Sequence, residues 1–85
     1  MIISFSKQFK KDFKKLPKKA RVQFRSRIEI FKQDQNNAQL NKHKLNSPYN
    51  GFYSINISGD TRAIYEQINK NKALFIKIGT HSQLY

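Results

Sequence analysis

The apolar residues of this chain change their spacing once. Through KQFKKDFKKLPKKARVQFRSRIEIFKQ they recur every three or four residues, and from Phe52 onward they alternate. The first period lines one side of a helix and the second lines one face of a strand. Helices therefore come first and a sheet follows, which is the segregation that defines an α+β fold.

Phe9, Phe13 and Leu16 form the stripe of a first helix, with lysines around them and Ser6 placed as its N-cap. Pro17 disfavours helical backbone at Leu16 and is expected as the first residue of a second helix. That helix, about Lys18 to Gln33, carries Ala20, Phe24, Ile28 and Phe31 on one side, with Lys19, Arg21 and Arg25 elsewhere. So short a hinge predicts a helical hairpin.

FYSINI puts Tyr53, Ile55 and Ile57 on one face and Phe52, Ser54 and Asn56 on the other. Ser58-Gly59-Asp60 turns, TRAIYEQI returns, NKNK turns again and ALFIKI runs out. With Ile2 to Phe5 as a fourth strand, the order is β-α-α-β-β-β in a single domain, residues 1–85. The expectation is a small, mainly antiparallel four-stranded sheet with the α-hairpin on one face and the opposite face open. DQNNAQLNKHKLNSPYNG is polar and reads as loop with one short ordered piece.

With no cysteine, no disulfide or thiolate metal site is available, so apolar packing alone must hold an 85-residue chain. Its 7 Phe and 4 Tyr must supply much of the buried area. Seventeen basic against five acidic residues leave a net charge of +12. Residues 1–32 hold eleven Lys or Arg against Asp12 and Glu29, which makes +9 of that total. Such a field attracts polyanions, with nucleic acid ahead of an anionic membrane surface or an acidic protein. The opening MIISFSKQFKK has too brief an apolar run for a signal peptide or a membrane span, so a cytoplasmic protein is expected.

A phosphate-binding glycine loop, an HExxH motif and a nucleophile elbow are all absent, and there are two histidines in total. Neither a metal nor a cofactor is expected. The remaining candidates are His43 with Lys42 and Lys44, Asp60, Arg62, His81 and Tyr85. Metal-free RNA cleavage needs a base for the 2′-hydroxyl proton, a cation for the phosphorane oxygens and an acid for the leaving 5′-oxygen. Histidine serves either proton role, Asp60 serves as base or histidine partner, Arg and Lys supply charge, and Tyr85 can stack on a nucleobase. Singly, each has a plainer role: a solvated histidine, a turn-forming aspartate, a strand-face arginine, a packing tyrosine.

FKKDFKKLPKKAR after the opening strand, HKL before GFYSINI, the GDTRAIYE hairpin and the closing LFIKIGTHSQLY together resemble the RelE/ParE superfamily of bacterial type II toxins. Within it the chain is similar to the YafQ-like mRNA endoribonucleases, and Gly-Thr-His followed by a polar pair, Leu and an aromatic is the most specific element. The resemblance implies a small antiparallel sheet on an α-hairpin and metal-independent cleavage of mRNA in the ribosomal A site. It also implies neutralisation by a cognate acidic antitoxin, with a monomeric free toxin and a heterotetrameric or larger complex. By motif, His81 falls on the family's catalytic histidine, His43 on a second active-site histidine, Asp60 on the active-site aspartate and Tyr85 on the terminal aromatic. Asn56 stands where some YafQ-like members have a further histidine, and Arg62 where RelE-like members place a phosphate-binding arginine.

Two rival readings share these features in part. A ParE-like toxin that inhibits DNA gyrase would share the fold without needing His81 and Tyr85. A non-catalytic basic RNA-binding module would share the lysines and aromatics without needing Asp60 or the histidines.

Overall fold

Ser6 ends one element and starts the next. The computed structural model describes all residues 1–85. In it the Ser6 hydroxyl accepts the Phe9 N–H at 3.0 Å and donates to the Ile76 carbonyl at 2.9 Å. One side chain thus caps helix α1 (Lys7–Lys15), which follows strand β1 (Ile2–Phe5), and ties that junction to the far end of the chain. Pro17 ends the hinge. It is the N-cap residue of α2 (Lys18–Gln33) rather than its first turn, with extended backbone and a carbonyl that accepts the Arg21 N–H.

After α2 come a 3-10 turn at Ala38–Leu40 and strands β2 (His43–Lys44), β3 (Phe52–Asn56), β4 (Thr61–Asn69) and β5 (Lys72–Thr80), then the short helix α3 (His81–Leu84). The sheet order is β1-β5-β4-β3-β2, with β1 parallel to β5 and every other pair antiparallel. It therefore has five strands, not the four expected. The extra one is the HK pair of His43 and Lys44, in the segment read as loop. Two residues cannot show a period, and only their pairing with Ser54 and Tyr53 makes them a strand.

The helices cover one face. Phe9, Phe24 and Phe31 from the hairpin meet Tyr65 and Phe75 from β4 and β5, with Phe31 edge-on to both at 5.0 and 5.3 Å. Such pairs add about 0.5–1.5 kcal/mol each beyond the area they bury. Between Ile64 and Tyr65 the register of β4 against β5 slips, so Ile64 faces Lys77 and Tyr65 faces Phe75. Ile76 is the unpaired residue of this bulge, so Phe75 and Ile78 both point to the core although three residues apart.

The opposite face is not fully open. Ile64 and Leu84 are buried there, outside the core under the helices, and α3 folds back over that end of the sheet.

Candidate active site

Cross-strand register sets what the outer face presents. His43 lies opposite Ser54, Ser54 opposite Ile64 and Ile64 opposite Lys77, while Asn56 lies opposite Arg62 and Arg62 opposite Gly79. Directly opposed residues share a face. Beyond these rows a cavity of about 530 Å³ opens, lined among others by His43, Lys44, Asn56, Arg62, His81 and Tyr85.

Residues 78–85 form a designed-looking closure whose causes are local. Thr80 caps α3 by accepting the Gln83 N–H at 3.3 Å, and the Gln83 side chain accepts the Thr80 N–H at 2.8 Å. This is a reciprocal capping box. The returning Gln83 amide passes over Gly79, where a Cβ would meet Oε1 at 2.8 Å. Only glycine leaves room for it. His81 is thereby fixed as the first residue of α3, its N–H donating to the Asp60 carbonyl at 3.3 Å, and its ring is 4.7 Å from that of Tyr85.

His43 is oriented from the other side. Its Nδ1 is 2.7 Å from the Asn41 carbonyl oxygen. A carbonyl only accepts, so Nδ1 carries the proton and the neutral ring has its lone pair on Nε2. Asn41 reaches this geometry with a left-handed backbone, φ 48°, which asparagine tolerates better than most residues.

The Arg62 Nη1 lies 3.0–3.3 Å from the carbonyls of Ser58, Gly59 and Thr61, so the turn holds the guanidinium while Nη2 and Nε have no protein acceptor. The one ion pair in the chain is the exposed Lys32–Glu29. No carboxylate therefore neutralises Arg62 or Lys44, and the cavity is cationic.

Two expected residues lie apart. Asp60 lines a different cavity, of about 620 Å³, with Asp12 and Lys15 at the elbow of the helical hairpin; its carbonyl, not its carboxylate, meets His81. The Lys42 ammonium sits 4.5 Å from the Tyr53 ring and bonds to Asn36 at 3.2 Å, turned to the helix side of the sheet. Asn41, Asn46 and Ser54 line the cavity but have no motif to mark them. Asn41 alone carried a signal, as a residue type enriched at positive φ. No three His, Cys, Asp or Glu residues come together as a metal-binding group.

A sheet with an α-hairpin on one face and a cationic, histidine-bearing cavity on the other defines a RelE-like toxin domain. The family model described as bacterial toxin of type II toxin-antitoxin system, YafQ, matches residues 1–85, and the chain belongs to that family. Among solved structures it is similar to YafQ from E. coli strain BL21(DE3), 23% identical, covering 98% of this chain and 96% of that one, TM-score 0.82. It is also similar to a chain of the E. coli DinJ-YafQ toxin-antitoxin complex, 22% identical over 98% and 94%, TM-score 0.79. A chain of the RelB-RelE antitoxin-toxin complex from Methanococcus jannaschii is 25% identical over 96% and 94%, TM-score 0.76. No curated protein sequence matches the chain. No helix is long and apolar enough to cross a membrane.

Proposed function

We propose that this toxin is a metal-independent endoribonuclease that cuts mRNA in the ribosomal A site. The observation that carries the reading is the fixed tautomer of His43 in a cavity shared with His81, Arg62 and Tyr85. Nε2 of His43 takes the 2′-hydroxyl proton, and the 2′-oxygen attacks the adjacent phosphorus. The free donors of Arg62 stabilise the charge on the phosphorane oxygens, while Lys44, opposite Tyr53 in the ladder and so directed to the helix side, adds only to the field at the cavity's edge. His81 gives a proton to the departing 5′-oxygen, and Tyr85 stacks on a base. The products are a 2′,3′-cyclic phosphate, or the 3′-phosphate from its hydrolysis, and a free 5′-hydroxyl. Asp60 serves through its backbone, by holding His81; Lys42 packs on Tyr53 on the helix side of the sheet, away from the reacting groups.

The +12 charge draws the toxin to rRNA and speeds its docking. The same charge favours fast, tight capture by an acidic antitoxin, as partner of a toxin that is monomeric when free and part of a heterotetramer or larger assembly when neutralised. A gyrase inhibitor would have no use for two histidines and an arginine around one cavity. Controlled expression of wild type and His81→Ala, with mRNA ends mapped on translating ribosomes, tests the reading. New ends inside codons in the wild type alone support it, and growth arrest without new ends overturns it.

A further inference from the structure

Tyr49 belongs to the loop between β2 and β3 and does not line the histidine-bearing cavity, yet two contacts tie it to the segment that bears His81 and a third ties it to β5. Its hydroxyl donates to the Leu84 carbonyl at 2.9 Å, the Lys77 ammonium donates to that hydroxyl at 3.3 Å, and its ring meets Tyr85 edge-on at 5.8 Å. Lys77 also stands 5.6 Å from the centre of the Tyr49 ring. The Leu84 carbonyl is among the last of α3, where no further turn of helix exists to accept from, so an outside donor is what the helix end lacks. A cation donating to the phenol oxygen strengthens the bond the phenol makes onward.

A four-residue helix has almost no intrinsic stability. At its start α3 is held by the capping box and the Asp60 carbonyl; at its end, by Tyr49. Between these two ties stand the His81 and Tyr85 rings, 4.7 Å apart.

We infer that Tyr49, backed by Lys77, is a positioning residue for the cleavage reaction: it fixes the end of α3 so that His81 and Tyr85 present to the cavity in one arrangement. The inference rests on the nuclease reading and goes beyond it, because Tyr49 touches no reacting atom and does not itself line the cavity, acting only through Tyr85 and the end of α3. Tyr49→Phe keeps the ring and removes the hydrogen-bond chain; Tyr49→Ala removes both; Tyr53→Phe, on the helix side of the sheet, is the control.

Single-turnover cleavage is measured on mRNA-programmed ribosomes with toxin varied to saturation, using variants shown by circular dichroism to be folded. Heteronuclear NOEs of residues 80–85 are measured on the free proteins. Tyr49→Phe is expected to lower the saturating rate constant about 3–10-fold, the scale of one lost hydrogen bond, with half-saturation unchanged. Tyr49→Ala should lower it further and reduce the NOEs of residues 81–85, and Tyr53→Phe should match wild type. A mere loss of folded protein would shift half-saturation and leave the saturating rate constant alone. Wild-type rate constants and NOEs in both Tyr49 variants overturn the inference while leaving the nuclease reading standing. A wild type that cuts no mRNA overturns the nuclease reading itself, and the role given to Tyr49 with it.

Discussion

The Nδ1 of His43 is 2.7 Å from the carbonyl oxygen of Asn41, and that single bond decides which ring nitrogen can act as a base. The acceptor is backbone, so the Asn41 side chain matters only through the φ of 48° it permits. Asn41→Gly is expected to leave stability within about 0.5 kcal/mol of wild type, because glycine adopts that φ freely. Asn41→Val should cost about 1–3 kcal/mol and slow cleavage, since a branched side chain forces the carbonyl away. Urea denaturation and single-turnover cleavage check both; equal effects of Gly and Val would break the link between backbone and tautomer.

The proton-transfer and charge roles predict different losses. His43→Ala and His81→Ala should each reduce the cleavage rate about 10²–10⁴-fold, the usual worth of a placed acid or base. Arg62→Ala should cost about 10²–10³-fold, and Arg62→Lys should recover only part, because an ammonium cannot both bond to the turn and reach the phosphate. Asp60→Asn should cost far less than any of these, since only its carbonyl meets His81. A loss at Asp60→Asn as large as at His43→Ala would return the base to the carboxylate.

Gly79 and Gln83 should behave as one unit. Gly79→Ala brings a Cβ to 2.8 Å from Gln83 Oε1, so the flexible amide must swing out and the capping box opens. The expected cost is about 1 kcal/mol. Gln83→Ala removes the same bond by another route, and the double variant should be less destabilised than the sum of the two. Strict additivity in thermal melts would separate the residues.

Tyr65 makes alkaline pH a probe of the core. Its side chain is fully buried, its hydroxyl has no partner, and burial, with a smaller contribution from Tyr53, raises its pKa above the ordinary 10.0. The unfolded chain then loses the Tyr65 proton before the folded one does. Stability is full below about pH 10 and falls above it by about 1.4 kcal/mol per pH unit. Tyr65→Phe should remove that contribution and raise stability at pH 7 by about 1 kcal/mol, because an unsatisfied buried hydroxyl is costly. Urea titrations at pH 7 and pH 10.5 measure both effects.

The charge distribution makes a separate claim. Raising salt should lower cleavage steeply at subsaturating toxin and only slightly at saturation, since screening acts on docking and the cavity contacts are short. Equal sensitivity in both regimes would argue against electrostatic docking.

Periodicity made most of this fold legible. Ala20, Phe24, Ile28 and Phe31 are all buried as their spacing requires, and Ser6 caps α1 as its type and place suggest. The two-residue strand β2, the bulge at Ile76 and the folding of α3 over the outer face were not legible, because each depends on pairing between distant segments. Likewise His43, Arg62 and His81 could be named from the chain, but their convergence depends on register, and Tyr49 shows its contacts to Leu84 and Lys77 only once the fold brings positions 49, 77 and 84 together. Asp60 and Lys42 stand near these residues in the chain, but the fold turns Asp60 to the cavity at the elbow of the helical hairpin and Lys42 to Tyr53 on the helix side.

The central claim is that the 2′-hydroxyl is the nucleophile. Its most direct test is a ribosome programmed with an mRNA carrying a single 2′-deoxynucleotide immediately 5′ of the scissile phosphate. In-line attack by the 2′-oxygen predicts rapid cleavage of the all-ribose message, with a 2′,3′-cyclic phosphate or 3′-phosphate on the upstream fragment, and no cleavage of the deoxy-substituted one. Cutting of the deoxy-substituted message at the same bond and rate would contradict it.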